Sequence, residues 1–452
     1  MKKIYQYILL VVAVVVTASC SNELDEALQP AGNGAIQFVV SDFPAFGESG
    51  QTRAIGTQDE GKTTWENGDQ IIVTLISQKY GEQAAALTYD GSSWSTEASL
   101  SYLENETPSV GVFYAPCYEV TEEGTMQLRS GMQLGMTEYL SGNYEMENGI
   151  MTITFEGAIR DYSRLRIATM PEATLTVTTT DFTPAGATSE ATEAYTLTSD
   201  DKGNAYIYGT FAEDATVSVK QGNVVLKDYI FTAEKNPNGT EHNKSYALDA
   251  RPVIDGTLGG KTEATEDDIT ALVEQLKGYV DNGITTIIVP GSQPATIDMG
   301  LWINTAIGEA IYRLSGSDYY DENNPYNGKI DLILQDVTEI VDQEFYSAWA
   351  LNSITLPKVI KIGDEAFHRT WFLKTITFES VLTEVNETSG VMFAQVGKEV
   401  DGCNLFINCG QMKENSVPTP DLTTNTWKFK FENEFKSITL THTGDCDECK
   451  AL

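Results

Sequence analysis

Histidine, the side chain most often used for proton transfer near neutral pH, occurs only three times in this chain of 452 residues. His242, His368 and His442 are far apart in the sequence. The sequence also lacks a Gly-x-Ser-x-Gly elbow, a His-Glu-x-x-His zinc motif and a phosphate-binding glycine loop. Paired carboxylates could support glycoside hydrolysis in so acidic a chain, but no spacing singles out a pair. We therefore predict no catalytic residues, no enzymatic activity and no cofactor.

Six cysteines could bind a metal or form disulfides: Cys20, Cys117, Cys403, Cys409, Cys446 and Cys449. Cys446 and Cys449 have C-x-x-C spacing, and His442 precedes them by four residues. With Cys403 or Cys409, these side chains would complete a zinc site. A redox role is disfavoured, because no βαβ unit surrounds the motif and the neighbouring acids would raise the thiol pKa. An oxidising compartment favours disulfides among the last four cysteines over zinc or free thiols, with the pairing left open, and we predict a buried free thiol at Cys117.

An oxygen-rich and aromatic segment, DYYDENNPYNG, runs from position 318 to position 328. Its carboxylates and amides could bind calcium, although their spacing is not that of an EF-hand, and its rings could stack on a sugar. A solvated loop without a ligand is the plainer alternative. The candidate ligand residues of this loop are Asp318, Tyr319, Tyr320, Asp321 and Tyr326.

A repeat near the C-terminal end follows this loop in the sequence. Large apolar residues recur every 22 positions, as in the sets Leu332/Ile354/Ile376, Val337/Val359/Val381, Phe345/Phe367 and Trp349/Trp371. A fixed period of this length predicts a solenoid, in which each unit buries its apolar face only against its neighbours. Segments 404–407 and 435–440 are predicted to add terminal strands.

Two helices are predicted before the repeats. Thr265 is a suitable N-cap, and the three acidic residues after it favour a helix N-terminus. One face of this helix is apolar, and Gly283 ends it; the face consists of Ile269, Leu272, Val273, Leu276 and Val280. Residues 303–314 form the second predicted helix. We expect the first helix to cap the solenoid.

Composition and patterning give the fold class. The chain has 65 acidic and 29 basic residues, a net charge of −36, which repels phosphate backbones and predicts no nucleic-acid partner. Short β-branched strands and frequent turn signals precede the repeats, and they predict antiparallel β-sandwiches. The predicted fold is mostly β: two antiparallel β-sandwich domains at 35–155 and 156–250, a linker at 251–264, and a short repeat solenoid with capping helices at 265–452.

The first residues have the layout of a secretory signal, with a basic start, a short apolar run at 8–16 and small residues before Cys20. The Ala-Ser-Cys sequence ending at Cys20 resembles the bacterial lipoprotein signal, which implies removal of residues 1–19 and a lipid on Cys20. Residues 20–34 form an acidic tether, and its residues 21–26 resemble the export signal of Bacteroidetes lipoproteins carried to the outer face of the outer membrane. A plain secretory signal or an uncleaved anchor, with an unmodified cysteine, is the alternative.

Several short motifs resemble the fimbrillin-like lipoproteins of Bacteroides. They are Trp65 with Gly68-Asp69, the strand end at 113–116, and residues 155–159 leading into 165–167. The resemblance implies two β-sandwiches after a lipid anchor. In members that polymerise, a protease cuts after an arginine near the N-terminus, and a strand from a neighbour fills the groove that opens. Arg53 is the candidate cleavage site, with an uncut solvated arginine as the alternative.

Residues 354–378 resemble the BspA-like leucine-rich repeat, through the pattern strand-Pro-Val-x-x-Ile-Gly-Asp-Glu-Ala-Phe. Together the resemblances imply a non-enzymatic, lipid-anchored protein of the outer membrane and cell surface that serves adhesion, as an accessory or tip component of a fimbria. The expected partners are a host or bacterial surface protein or glycan, and other fimbrial subunits. The alternative function is capture of polysaccharide beside an outer-membrane transporter, and a glycan hydrolase is a third.

Overall fold

The computed structural model describes residues 37–44, 62–102, 106–147, 150–155, 160–188, 191–232, 234, 239–297, 303–316, 319–386, 388–412, 420–428 and 432–441. Within these ranges the chain is mostly β and arranged in several sheets. Buried apolar side chains form three clusters, which follow one another along the chain and define three regions. No helix in the described ranges is long and apolar enough to cross a membrane.

The first region contains the strands β1 (Gln37–Val40), β2 (Gln70–Ser77), β3 (Gly81–Tyr89), β4 (Trp94–Ser95), β5 (Ser109–Tyr114), β6 (Tyr118–Val120), β7 (Met126–Leu128), β8 (Leu140–Ser141), β9 (Asn143–Glu147) and β10 (Ile150–Thr154). One sheet has the order β4-β3-β2-β5-β8, another has the order β1-β10-β9, and β6 pairs with β7. Ile71, Val73 and Leu75 of β2 are fully buried in one cluster with Met151 and Ile153 of β10. Both sheets therefore contribute their apolar faces to a single core.

The second region contains β11 (Ser163–Ala168), β12 (Thr174–Pro184), β13 (Ala191–Thr198), β14 (Asn204–Gln221), β15 (Val224–Ile230) and β16 (Ser245–Asp249). Its sheet has the order β13-β12-β14-β11-β16, and β15 pairs with β14. The 18-residue strand β14 pairs with β11 along its first part and with β15 along its last part, so different parts of one long strand have different neighbours.

Two strand pairs correct the prediction of purely antiparallel sheets. β1 pairs in parallel with β10, and β11 pairs in parallel with β16. Each pair joins strands that are far apart along the chain, as parallel pairing requires, because a tight hairpin can join only antiparallel strands. The alternation of apolar and polar residues is the same in either direction, so the sequence pattern could not reveal this difference.

The third region begins with two helices, α1 (Glu266–Asp281) and α2 (Ala306–Leu314). Thr265 and Asp268 form a capping box, in which each side chain accepts a hydrogen bond from the backbone N–H of the other. Gly283 follows the last turn with a φ of 75°, a conformation that glycine adopts without strain. Both predicted helices are therefore confirmed, although α2 begins three residues later than predicted.

The remaining strands of this region are β17 (Thr286–Val289), β18 (Ile330–Leu334), β19 (Glu339–Ile340), β20 (Leu351–Leu356), β21 (Lys361–Ile362), β22 (Thr375–Phe378), β23 (Glu384–Val385), β24 (Asn404–Asn408), β25 (Thr426–Lys428), β26 (Glu432–Glu434) and β27 (Ser437–Thr441), with a 3₁₀ turn at Cys409–Met412. A parallel sheet has the order β17-β18-β20-β22-β24-β27, and a smaller parallel sheet has the order β19-β21-β23. The hairpin β25-β26 completes the region.

The predicted period matches the register of the parallel sheet. Leu332 pairs with Ile354, and Ile354 pairs with Ile376. The next partners are Leu405 and then Ile438, so the later turns of the chain are longer than 22 residues. The strands predicted at 404–407 and 435–440 are β24 and β27.

Side chains one turn apart also stack on one another. The ring centroids of Phe345, Phe367 and Phe393 lie 5.7 and 5.6 Å apart in sequence order, with nearly parallel planes. The glycine of the repeat motif is needed for close packing, because a Cβ on Gly363 would lie 2.3 Å from the backbone nitrogen of Asp342 in the preceding turn.

Glu344 connects the repeats to α2 while fully buried. Its Oε1 accepts a hydrogen bond from the hydroxyl of the N-cap Thr305 at 3.3 Å, and its Oε2 accepts one from Val341 N–H at 3.0 Å. Burial raises the pKa of this carboxyl from 4.5 to about 7, because the charged form loses its hydration. The folded chain therefore holds this proton more tightly than the unfolded chain does.

Stability should fall as pH rises from about 4.5 to about 7, because in that window the folded state is protonated at Glu344 and the unfolded state is not. We expect Glu344→Gln to match the parent chain below this window and to exceed it in free energy of unfolding above it. Urea unfolding across the window measures this difference. Glu379→Gln, at an exposed carboxylate just after β22 that does not act on Glu344, is the matched control and should leave the pH dependence unchanged. An unaltered pH dependence in Glu344→Gln would contradict the assignment.

Candidate ligand-binding surface

The loop after α2 packs against the beginnings of two repeat strands. Gly328 N–H donates to the Trp349 carbonyl at 2.8 Å, and Lys329 N–H donates to the Ala350 carbonyl at 2.9 Å. These bonds attach the end of the predicted ligand loop, just before β18, to the residues just before β20. The loop is therefore positioned by the strand stack.

Four rings and one ammonium group meet beside this loop, and we call them the aromatic cluster: Tyr320, Trp349, Trp371, Phe372 and Lys398. The indoles of Trp349 and Trp371 stack with their centroids 5.2 Å apart and an interplanar angle of 26°. Tyr320 contacts both indoles edge-on, at 5.2 and 5.0 Å, and the Phe372 ring lies 6.1 Å away. Lys398 Nζ lies 4.4 Å from the centroid of Trp371. Offset, edge-on and cation–π contacts of this kind are all favourable.

The cluster has a buried base and an open face. Trp349 is only 3% exposed, whereas Tyr320 is 37% and its neighbour Tyr319 is 84% exposed. Trp371 and Phe372 are partly exposed. Rings of this size are normally covered, and a contiguous exposed group of them indicates an interaction surface.

Polar contacts fix the orientation of the indoles. The Trp349 Nε1–H donates to the Arg369 carbonyl at 2.9 Å, and the Trp371 Nε1–H donates to Gln395 Oε1 at 3.1 Å. The exposed guanidinium of Arg369 donates from Nη1 to the Tyr346 hydroxyl at 3.3 Å. The cluster therefore combines apolar faces with amide and cationic donors.

Two titratable groups nearby, the Tyr320 phenol and the His368 imidazole, stay uncharged near neutral pH. Partial burial raises the pKa of the Tyr320 phenol, and the negative charges of Glu399, Glu322 and Asp321 raise it further. Burial lowers the pKa of His368, which packs edge-on against Tyr346 at 5.3 Å. Tyr320 therefore keeps its hydroxyl proton for hydrogen bonding.

The structure separates the residues predicted for the ligand loop. Tyr320 belongs to the aromatic cluster, and Tyr319 precedes it in the chain with its ring 84% exposed. Tyr326 instead packs on the core of the third region, with its hydroxyl 3.5 Å from Asp281 Oδ2. The Asp321 carboxylate accepts hydrogen bonds from the backbone and the amide of Asn323 within the loop. The Tyr320 ring of the predicted ligand loop therefore lies beside other exposed rings, whereas Tyr326 does not take part in this surface.

Sequence reasoning did not place Trp371, Phe372 or Lys398 in a site. It assigned Trp371 to the core with Trp349. The structure of the following turn explains why Trp371 is exposed. Arg369 and Gln395 occupy equivalent positions, with left-handed φ values of 62° and 63°, so Gly397 is the equivalent of Trp371. The tryptophan stack therefore ends at Trp371, and Lys398 covers the exposed ring.

The described cysteines differ in state. Cys117 is buried and free, which confirms the prediction for that thiol. Cys409 is disulfide-bonded. Cys403 is also buried and free, so it leaves the predicted disulfide set; its Sγ lies 3.7 Å from the Asn404 carbonyl, and burial raises its pKa to about 12. Such a thiol is unreactive at neutral pH.

Five predicted site residues lie outside the described residues: Cys20, Arg53, Asp318, Cys446 and Cys449. His442, which could have joined a zinc site, lies outside them as well. Among the residues that are described, no three or more His, Cys, Asp or Glu side chains are arranged to hold a metal ion.

No protein-family model matches this chain, and no curated protein matches it. A weak structural likeness exists to the crystal structure of the shaft pilin SpaA from Lactobacillus rhamnosus GG, in a point variant. The sequence identity is 12%, the TM-score is 0.16, and the match covers 41% of this chain and 93% of the pilin. At this TM-score the likeness supports no statement about fold or function.

The tryptophan stack should have a spectroscopic signature. Two indoles stacked 5.2 Å apart couple their transitions, so we expect an exciton contribution to the circular dichroism that is lost in Trp371→Phe. The contribution of the edge-on pair Trp65 and Trp94, whose centroids are 4.9 Å apart in the first region, should remain. Trp427→Phe, at a buried indole that stacks on Phe393 and packs edge-on against Phe378, is the control and should leave this contribution in place. A spectrum unchanged by Trp371→Phe would contradict the stacked geometry.

Proposed function

We propose that this chain is a non-enzymatic, lipid-anchored surface protein of the outer membrane that serves adhesion through its third region. In this proposal the first two regions are fimbrillin-like β-sandwiches, and the third is a BspA-like leucine-rich-repeat domain. The role would be that of an accessory or tip component of a fimbria, with other fimbrial subunits as neighbours. Lipidation at Cys20 and cleavage after Arg53 belong to the same proposal.

One observation carries the proposal: the open face of the aromatic cluster on the repeat stack. Tyrosine and tryptophan are the side chains that most often dominate binding energy at interfaces. Here Tyr320 is exposed and packs against Trp349, which is almost fully buried, and the adjacent Tyr319 is 84% exposed. A rigid base under exposed rings lowers the conformational entropy lost on binding, which favours adhesion to a surface ligand.

Capture of soluble polysaccharide is the alternative function, and the same rings support it, because aromatic faces stack on sugar rings. The two functions differ in the form of the ligand. Adhesion requires retention of whole cells on an immobilised host or bacterial surface protein or glycan. Capture requires binding of free polysaccharide and a transporter that takes it up.

The experiment compares cells that display the parent chain with cells that display Tyr319→Ala/Tyr320→Ala. Loss of an interface tyrosine often costs about 2 kcal/mol or more, so retention on coated matrix protein or mucin should fall at least about tenfold. Tyr80→Ala is the matched control, because Tyr80 is 45% exposed but lies in the first region. Equal retention of parent and double variant would refute the proposed site, and selective binding of soluble polysaccharide would favour capture.

A further inference from the structure

Arg369 is an exposed cation with no ion pair to a carboxylate among the described residues. Among the described residues, its guanidinium donates a hydrogen bond to the Tyr346 hydroxyl at 3.3 Å. Elsewhere in this region most cations are paired with acids, as in Lys261–Asp268, Arg313–Glu309 and Lys358–Asp336. In a chain with 65 acidic residues and 29 basic residues, a guanidinium beside exposed rings is available to an external anion.

Lys398 provides a second cation at the same ring. Its Nζ lies 4.4 Å from the centroid of Trp371, and the nearest carboxylate, that of Glu399, is 3.9 Å away. Both side chains of this pair are substantially exposed, at 52% and 36%, so the pair is weak and leaves the lysine available.

The backbone of Trp371 links the two cations. Trp371 N–H donates to the Arg369 carbonyl at 2.9 Å, and Glu399 N–H, next to Lys398, donates to the Trp371 carbonyl at 3.0 Å. The backbone of Arg369 therefore lies against that of Trp371, and the Lys398 ammonium lies over the indole of the same residue. Gln395 accepts from the Trp371 indole N–H through Oε1, which directs its amide NH₂ toward other acceptors.

We propose that the aromatic cluster, with Arg369 and Gln395, binds a sugar that carries a carboxylate, such as a uronic acid or a sialic acid. This inference rests on the proposed function and specifies its ligand. Because Trp349 and Lys398 occupy the faces of the Trp371 indole, the sugar ring packs against Tyr320 and the edge of Trp371. The carboxylate is bound by the planar guanidinium of Arg369 with Lys398 nearby, and the Gln395 amide donates to a hydroxyl.

The acidic side chains around the surface set the orientation of this ligand. Besides its burial, the negative charges of Glu399, Glu322 and Asp321 raise the pKa of the Tyr320 phenol, so a ligand carboxylate would be repelled at that end. Glu365, near Arg369 in sequence, is engaged by the amide of Gln343 at 2.8 Å. The carboxylate therefore binds at the Arg369 end, and the neutral part of the sugar lies toward Tyr320.

The test uses the full chain and two matched pairs of sugars, titrated by calorimetry. Hexagalacturonate is compared with its methyl ester, and sialyllactose with lactose; the two pairs distinguish a uronic-acid from a sialic-acid source. We expect at least one carboxylated sugar to bind about tenfold more tightly than its neutral counterpart, since hydrogen bonds to charged groups are the strong ones. Added salt should reduce this preference.

Arg369→Gln should remove the preference, and Arg369→Lys should restore part of it, because a lysine keeps the charge and loses the bidentate geometry. Lys358→Gln, at an exposed lysine beyond the opposite end of β20, is the control and should leave the preference intact. Circular dichroism of each variant confirms folding.

Equal binding of the charged and neutral sugars, or no binding of any of the four, would overturn this inference. The proposed function would stand in either case if cell retention still depended on Tyr319 and Tyr320. If retention does not depend on them, the proposed function fails by its own test, whatever the sugars show.

Discussion

The parallel stacking of the repeat strands is the constraint on which the candidate site depends. Backbone pairing aligns Leu332, Ile354 and Ile376 in one column, and the same translation stacks Phe345 on Phe367 and Trp349 on Trp371. Each turn buries apolar side chains against the next, so the position of one ring is set by the ring before it. The exposed tryptophan is consequently held on a rigid base, which is the condition for a preorganised binding surface.

The architecture of this region was largely predictable from the sequence, because contacts between successive repeats appear in the sequence as a local period of apolar residues. The 22-residue spacing predicted the register, and the Thr265 cap predicted the start of α1. The strand pairing of the first two regions was harder to predict from the sequence. The parallel pairing of β11 with β16 joins strands far apart in the chain, and no short-range pattern encodes it.

The candidate site was predictable only in part. Tyr319 and Tyr320 stand out as an aromatic, oxygen-rich loop, but their partners come from two other turns. Lys398 follows Trp371 in a turn whose sequence no longer matches the repeat, so spacing alone could not bring them together. Tyr326, equally prominent in sequence, packs against the core instead. Composition identified the loop, and tertiary contacts selected which of its rings face solvent.

The second and third regions also meet through specific contacts. Asn223 N–H, in the turn before β15, donates to Asn282 Oδ1 at the end of α1, and Leu226 packs on the core of the third region.

The central claim is that the rings on the repeat stack form the binding face. Hydrogen–deuterium exchange of the chain, with and without the surface molecule that retains cells, tests it most directly. The account predicts slowed exchange at 319–328 and 369–372, whereas protection confined to the first two regions would contradict it.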